Sequence, residues 1–246
     1  MQNEEENAIG LSDGVSDSVY ASANGDGGGC AGSGASGGAS GCTSGGAKGD
    51  SSDSAIACKT AIIVVDMLND FVTGSLACER GAAIVPALAR LLDGARRAGC
   101  DANGIANVPI VYANDCHLPG IDHELKLWGE HAMKGTYGAE VVLELAPKAT
   151  DYIVPKRRYS GFFMTDMNIL LRELGVNTVV MTGLHTHMCV RHTTADAYMH
   201  GYDVVVASDA TDAFTEQDYL SGLEYLRTVY GAMIATVDEI VDAFSR

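Results

Sequence analysis

Residues 176–210, VNTVVMTGLHTHMCVRHTTADAYMHGYDVVVASDA, decide the fold. An apolar, β-branched run opens this stretch, and a second run, YDVVVASDA (202–210), closes it. Between them, CVRHTTADAYMHG has the apolar spacing of a helix and ends on glycine, a common helix stop. Apolar runs without regular polar interruption are typical of strands covered on both faces, as in a parallel sheet. The stretch therefore predicts a strand–helix–strand unit with parallel strands.

The same alternation of strand and helix extends outward over most of the chain. Further apolar runs are TAIIVVD (60–66), NVPIVYAND (107–115) and TDYIVPK (150–156), and helical patterns occupy 82–99, 165–175 and 219–231. Alternating elements of this kind form βαβ units with right-handed crossovers. We therefore predict an α/β fold, a three-layer α/β/α sandwich with a mostly parallel central sheet. We expect this domain to span residues 58–246.

The first part of the chain has a different composition. Residues 1–57 hold about half of the 29 glycines, together with many serines, as in GDGGGCAGSGASGGASGCTSGG. Such a sequence buries too little apolar surface to offset the entropy lost on ordering. We expect residues 1–57 to be a disordered, dispensable tail; the alternative is an interaction arm or a redox tether through Cys30 and Cys42.

The overall composition excludes several classes of partner. The 246 residues include 32 acidic and 16 basic side chains, a formal net charge of -16, which opposes binding to nucleic acid or to an anionic membrane. No apolar stretch approaches the ~18 residues of a membrane span, and the acidic N-terminus is unlike a secretory signal. The seven cysteines are irregularly spaced and form no CxxC pair, so neither a disulfide framework nor a zinc ribbon is indicated. We expect a reduced, cytoplasmic protein.

Chemically active side chains follow several predicted strands. Asp66 ends TAIIVVD, Lys156 ends TDYIVPK, and Cys189 opens the helical pattern after VNTVVMTG. Ligands bind beyond the carboxyl ends of strands in open parallel sheets, so these residues are expected to converge on one crevice. Each alone has an ordinary explanation: a helix cap, a solvated basic edge, a small buried apolar side chain. Together they favour a cysteine nucleophile, since a thiolate needs a nearby cation, a helix N-terminus and a carboxylate that moves protons.

Three separated motifs resemble those of the isochorismatase-like cysteine hydrolase superfamily, which includes nicotinamidases and N-carbamoylsarcosine amidases. They are VVDMLNDFVTGSL (64–76), VPKRRYSGF (154–162) and the segment that begins TGLHTHMCV (182–190). The resemblance implies a hydrolase of small non-peptide amides, of the nicotinamidase type, that converts nicotinamide to nicotinate and ammonia. Because members of the superfamily are commonly dimers or tetramers, it also implies a homo-oligomer.

The resemblance implies a role for each matched residue. Asp66, Lys156 and Cys189 would form a catalytic triad in which the cysteine attacks the amide carbonyl and gives a thioester. The Leu184–His185 peptide bond would be cis, and the backbone N–H groups of His185 and Cys189 would form the oxyanion hole. The implied substrate pocket comprises Phe71, Trp128 and Tyr159.

A second set of matched residues implies a divalent metal ion. Nicotinamidases bind such an ion through an Asp-x-His pair and a further histidine shortly after a tryptophan. Here DCHLPG supplies Asp115 and His117, and WGEH supplies His131. Zinc is the expected ion, with manganese or iron as alternatives. The structural alternative is that the pair caps a strand and His131 lies in a surface loop. His123 is a further neighbour that no motif supports.

The chain departs from the nicotinamidase pattern in the pocket. Leu68 stands where glutamine is usual, Cys116 where an aromatic residue is usual, and His187 where aspartate is common. These differences leave the triad intact, so two alternatives stay open: an amidase for another amide or carbamoyl compound without the metal, and a non-catalytic ligand-binding protein of the same fold. His187 and His192 are predicted to lie either at the pocket rim or in packing positions.

Overall fold

The computed structural model describes residues 59–244, and the predicted tail over residues 1–57 lies outside the described residues. Strands and helices alternate along this part of the chain. The strands are β1 (Lys59–Val65), β2 (Ile110–Asp115), β3 (Tyr152–Lys156), β4 (Val176–Leu184), β5 (Asp203–Asp212) and β6 (Met233–Ala235). The helices are α1 (Asn69–Val72), α2 (Glu79–Arg97), α3 (Leu125–Trp128), α4 (Met167–Glu173), α5 (Cys189–Met199), α6 (Glu216–Tyr230) and α7 (Val237–Phe244).

The strands form one sheet in the order β3-β2-β1-β4-β5-β6. Every pairing in this sheet is parallel, so the described sheet is wholly parallel where the sequence predicted a mostly parallel one. The chain winds outward from β1 through β2 to β3, and then returns to place β4 on the other side of β1. This reversal opens a crevice at the carboxyl ends of the central strands. The prediction of an α/β/α sandwich is confirmed.

Alternate side chains of β1 divide the interior into two cores. Ile62 and Val64 pack in the core that contains residues of α2 and α7. Ala61, Ile63 and Val65 pack in the opposite core, with residues of α4, α5 and α6. All five side chains are completely buried, which explains why TAIIVVD carries no alternating polar residues. The central strand is therefore held from both faces, and its carboxyl end is a fixed support for Asp66.

Four elements lie outside the strand and helix patterns recognised in the sequence, and one of them is the four-residue helix α1. Helix α3 has only four residues, strand β6 has three, and α7 is the last described helix. Apart from α7, which has eight residues, these elements carry too few residues to show a period. Over residues 59–244, no helix combines the length and the apolar character that a membrane crossing requires.

Candidate active site

Asp66, Lys156 and Cys189 meet at the carboxyl edge of the sheet. The Lys156 Nζ lies 2.7 Å from Asp66 Oδ2 and 2.6 Å from Asp115 Oδ1, so one ammonium joins two carboxylates. The backbone N–H of Asp115 donates to Asp66 Oδ1 at 2.7 Å. Cys189 is the first residue of α5, and its sulfur and the two carboxylates lie within 4.8 Å of one another. The three residues of the implied triad are therefore in one buried group.

Backbone geometry at two positions brings this group together. Asp66 has a φ of 52°, a left-handed conformation that aspartate tolerates better than most residues. Gly183, near the end of β4, has a φ of 91°, and a Cβ there would meet the carbonyl oxygen of Val65 at 2.0 Å. Glycine therefore lets β4 approach β1 closely, and the chain that follows it leads to Cys189.

The turn between β4 and α5 presents the proposed oxyanion hole. The Leu184–His185 peptide bond is cis. The backbone N–H groups of Met188 and Val190 donate to the His185 carbonyl at 2.9 and 3.2 Å, which closes the turn into the helix. The N–H of His185 and that of Cys189 are the proposed oxyanion donors, and this role stays a prediction.

The charges of the group determine its protonation. Burial and the neighbouring Asp115 raise the pKa of Asp66 to about 6, against the opposing effect of Lys156. Burial also raises the pKa of the Cys189 thiol well above its usual range; Lys156 lowers this pKa, and the carboxylates of Asp66 and Asp115 raise it further. This direction is opposite to the one expected for a thiolate beside a cation and a helix N-terminus, and it favours a thiol whose proton Asp66, with its raised pKa, can take.

A second buried group adjoins the first and shares Asp115. The side-chain ligand atoms of Asp115, His117, Glu124 and His131 lie within 4.8 Å of one another. The Nδ1–H of His117 donates to the Asp122 carboxylate at 3.1 Å, and that of His131 donates to the Gly129 carbonyl at 2.9 Å.

Those acceptors show that Nδ1 carries a proton in both rings. With Nδ1 as the donor, a neutral imidazole has its free lone pair on Nε2, as in metal-binding histidines oriented by an acceptor on the other nitrogen. The Nε2 of His117 is buried without a hydrogen-bond partner. Two imidazoles with free lone pairs and two carboxylates fit a divalent ion of the zinc, manganese or iron type.

Glu124 belongs to this group although the sequence motifs did not identify it. It precedes α3 and is buried, and burial together with Asp115 raises its pKa to about 7. The adjacent His123 is exposed and stands apart from the group. The alternative placement of His131 in a surface loop is wrong, since its side chain is buried against His117 with ring centroids 4.7 Å apart. An acidic residue beside the DCHLPG motif was the available signal for Glu124.

A small cavity of about 20 Å³, enough for about one water molecule, lies over the nucleophile. The three side chains of the implied pocket, Phe71, Trp128 and Tyr159, all line it, together with Cys189 and His131. The sequence did not single out four other lining residues, which are Leu76, Glu124, Met188 and Phe214.

Phe214 extends an aromatic wall along this cavity. Its ring stacks on His185 with centroids 3.8 Å apart and lies nearly parallel to Trp128, at 6.2 Å. The Trp128 Nε1–H donates to the Tyr159 hydroxyl at 3.0 Å, which fixes the other end of the wall. Phe214 is the second residue after strand β5, so its position after YDVVVASDATDA was the available signal.

Residues 60–239 match the model of the isochorismatase domain family. The chain belongs to the isochorismatase family. The isochorismatase family protein PncA of Bacillus subtilis is 32% identical over 190 residues, which cover 72% of this chain and 99% of that protein.

Two solved structures extend the comparison. N-carbamoylsarcosine amidase from Thermoplasma acidophilum superposes with a TM-score of 0.66 and 39% identity, over 73% of this chain and 97% of that one. The pyrazinamidase of Pyrococcus horikoshii in complex with zinc superposes with a TM-score of 0.65 and 30% identity, over 72% and 99%. Both share the isochorismatase-like fold.

The three positions at which the chain departs from the nicotinamidase pattern, and also His192, lie in different surroundings. Leu68 is completely buried in the core beside α2, and Cys116 lines a separate cavity behind β2. His192 is exposed, and its ring donates to the Met188 carbonyl at 2.8 Å and lies beside Tyr159. His187 is half-buried beside His185 but is not among the residues that line the small cavity. Neither histidine therefore touches the nucleophile's cavity.

Proposed function

We propose that this isochorismatase-family protein is a cysteine-dependent amidase of small, uncharged aromatic amides, with nicotinamide as the first candidate substrate. The observation that carries the proposal is the Cys189 thiol beside the Asp66–Lys156 ion pair, at the base of a small aromatic cavity. The resemblance to amidases of the same fold supports it.

Acylation begins with proton transfer from Cys189 to Asp66. The thiolate attacks the carbonyl carbon, and the C=O electron pair moves to oxygen, where the N–H groups of His185 and Cys189 stabilise the oxyanion. Asp66 then returns the proton to the amide nitrogen, so that ammonia leaves and a thioester remains. Lys156 stays charged throughout, because its two carboxylates, Asp115 first, hold its pKa well above the usual value although burial opposes this.

Deacylation uses the same groups, with water as the nucleophile and the Cys189 sulfur as the leaving group. Asp66 takes a proton from water, and the resulting hydroxide attacks the thioester carbon. The C–S bond breaks, the carboxylic acid leaves, and the proton on Asp66 returns to the Cys189 sulfur. The net reaction adds one water across the amide bond, so the cycle balances without an external acid or base.

A divalent ion would be held by Asp115, His117 and His131, with Glu124 as a fourth ligand. When bound, it would supply Lewis-acid chemistry toward a pyridine-type nitrogen or a water molecule. The buried Nε2 of His117, which has no hydrogen-bond partner and lies 3.7 Å from the Asp115 carboxylate, supports the proposal, as does the zinc complex of the similar pyrazinamidase. Zinc is the proposed ion.

The lining of the cavity favours an uncharged substrate. Among the described residues that line it, none is lysine or arginine, and Asp115 and Glu124 are acidic. N-carbamoylsarcosine carries a carboxylate, for which such a cavity offers no side-chain cation. Carbamoyl compounds nevertheless remain the second candidate, because the solved N-carbamoylsarcosine amidase is 39% identical to this chain.

An ammonia-release screen tests the proposed reaction. The purified protein is incubated with nicotinamide, pyrazinamide, N-carbamoylsarcosine and an aliphatic amide such as butyramide. We expect release from the two aromatic amides. Ammonia release from N-carbamoylsarcosine alone would favour the second candidate, a carbamoyl compound, over an aromatic amide. If the metal-loaded protein releases ammonia from none of the four compounds, a non-catalytic ligand-binding protein is favoured.

Elemental analysis tests the metal independently of turnover. We expect the purified protein to hold about one divalent ion per chain, and both His117→Ala and His131→Ala to lose it. His123→Ala is the matched control, because that exposed histidine lies outside the group. Full metal retention in His117→Ala would contradict the proposed ligands. We also propose a cytoplasmic homo-oligomer, and sedimentation analysis of the purified protein checks the assembly.

A further inference from the structure

A larger cavity adjoins the one over the nucleophile. Its volume of about 680 Å³ is within the range of cavities that bind small organic ligands. Glu124 and Tyr159 line both cavities, so the two are neighbours. A molecule released at Cys189 is therefore next to a cavity that is large enough to hold it.

Two cations line this larger cavity without an acidic partner. They are Lys126, in α3, and Arg158, which follows β3. Neither side chain forms an ion pair with a described residue, although the whole chain has 32 acidic against 16 basic residues. The adjacent Arg157 shows the opposite arrangement, since its Nε–H donates to the Asp122 carboxylate at 2.8 Å. Lys126 and Arg158 are thus available to an anionic ligand.

The two acidic residues that line the same cavity are engaged elsewhere. Asp196 accepts a hydrogen bond from the Ser160 hydroxyl at 2.5 Å. Glu124 is buried in the group of proposed metal ligands. The charges that the cavity offers to a ligand are therefore mainly positive.

Apolar side chains form much of the remaining wall. Leu127 and Phe163 line the cavity, yet 71% and 56% of their surfaces are exposed. Tyr159 adds an aromatic ring. Covering exposed apolar surface of this kind is favourable, and two cations lie beside it. The cavity therefore fits a ligand that carries an anionic group on an aromatic body.

The proposed reaction produces a molecule of that chemistry. Hydrolysis of an uncharged aromatic amide gives an aromatic carboxylate, which is ionised at neutral pH. Among the described residues that line the cavity over the nucleophile, Asp115 and Glu124 are acidic and none is lysine or arginine. These charges oppose a carboxylate at that place, whereas Lys126 and Arg158 attract it into the neighbouring cavity.

We propose that the cavity lined by Lys126 and Arg158 is a binding site for aromatic carboxylates, the product class of the proposed reaction. This inference rests on the proposed function and adds a product site to it. The carboxylate pairs with the Lys126 ammonium and with the Arg158 guanidinium, whose planar fork matches a carboxylate. The aromatic ring packs against Phe163 and Leu127.

Equilibrium binding tests this site without turnover. Isothermal titration calorimetry gives the Kd of the Cys189→Ala protein for benzoate, benzamide and acetate. Benzamide has the ring without the charge, and acetate has the charge without the ring. The titrations are repeated after adding Lys126→Gln and Arg158→Gln together, and separately after adding the matched pair Lys134→Gln and Arg97→Gln. The matched pair removes two exposed cations that do not line the cavity, so both proteins have the same net charge.

We expect benzoate to bind more tightly than benzamide or acetate. Loss of Lys126 and Arg158 should weaken benzoate binding about tenfold and change benzamide binding by less than about twofold, since partly exposed ion pairs contribute modestly. The matched pair should keep the affinity for all three compounds. If the protein that lacks both cations does not fold, the single variants Lys126→Gln and Arg158→Gln make the same comparison, with a loss of about threefold each.

Two binding results would overturn the inference. Equal weakening of benzoate binding by the two pairs of substitutions would show an effect of net charge alone, and benzoate that binds no more tightly than benzamide would show that the cations are not used. The proposed function fails separately, if the ammonia-release screen finds no turnover of any amide. Benzoate binding that depends on Lys126 and Arg158 would then show a site for aromatic acids and overturn its assignment to a product.

Discussion

Lys156 is a fully buried cation whose stability depends on its neighbours. An isolated ammonium in such a position would lose its proton or unfold the site, but two carboxylates lie within 2.7 Å of its Nζ. Burial raises the pKa of the Cys189 thiol, Lys156 opposes this effect and the two carboxylates add to it, so the thiol keeps its proton until Asp66 accepts it. The sequence could identify these residues through the motifs, but the pKa balance depends on burial and on the contact between Asp115 and Lys156, and the motifs reveal neither.

Removing the nucleophile is the first prediction at the scale of the residue. Cys189→Ala should abolish ammonia release, because it removes the sulfur that lies within 4.8 Å of the Asp66 carboxylate. The fold should persist, since alanine fits the space of a small buried side chain. Activity assays with circular dichroism check both outcomes. Cys100→Ala, at an exposed cysteine, is the control expected to keep full activity. Turnover in a folded Cys189→Ala protein would rule out the mechanism.

The pH dependence follows from Asp66, which must be ionised to take the thiol proton. Because the pKa of Asp66 is raised to about 6, kcat/KM should fall as the pH drops through about 6, approaching a tenfold loss per pH unit below it. A pH–rate profile between pH 4 and 8 measures this limb. A limb near the ordinary aspartate value of 3.8 would contradict the prediction. A limb near 7 that disappears in Glu124→Gln would assign the dependence to Glu124.

Strand β4 illustrates how an element, rather than a side chain, positions chemistry. It pairs with β1 along its length, and Gly183 lies opposite Val65 in that register. The sequence run VNTVVMTG predicted a buried strand that ends at glycine. It could not reveal how closely the two strands approach, because that distance depends on which strands become neighbours.

The prediction at this scale concerns the close contact of β4 with β1. In Gly183→Ala, the new Cβ would lie 2.0 Å from a backbone oxygen, and the φ of 91° would be strained as well. We expect a loss of about 2–4 kcal/mol in the free energy of unfolding, from strain plus overpacking, measured by urea denaturation. Activity should fall too, since the turn to Cys189 follows directly.

Gly175→Ala provides the matched control for that substitution. Gly175 also has a left-handed φ, of 71°, but no neighbouring atom lies within 4 Å of the position that a Cβ would take there. Only the backbone strain remains at this site, so we expect a loss of about 1–2 kcal/mol and full activity. Equal losses in the free energy of unfolding for the two substitutions would show that the contact with the Val65 carbonyl does not contribute to the destabilisation.

At the scale of the whole molecule, the site is assembled from segments far apart in sequence. Asp66 follows β1, Asp115 ends β2, Lys156 ends β3 and Cys189 follows β4. The order of the strands brings these ends together, and the rule for open parallel sheets was sufficient to predict that meeting. Glu124, Phe214 and the His185 ring were not predicted, because α3 is too short to show a period and cavity walls depend on three-dimensional packing.

The last prediction concerns how much of the chain the reaction needs. Both cores and every residue of the proposed site lie within residues 59–244, and the family match covers residues 60–239. The similar PncA of Bacillus subtilis matches over 99% of its own length but only 72% of this chain. A protein that begins at residue 58 should therefore keep kcat/KM within about twofold and its Tm within about 2 °C of the full chain. Lost activity at an unchanged Tm would instead support the alternative that residues 1–57 contribute to function. Full-length Cys30→Ser and Cys42→Ser variants would then show whether a thiol is responsible for that contribution.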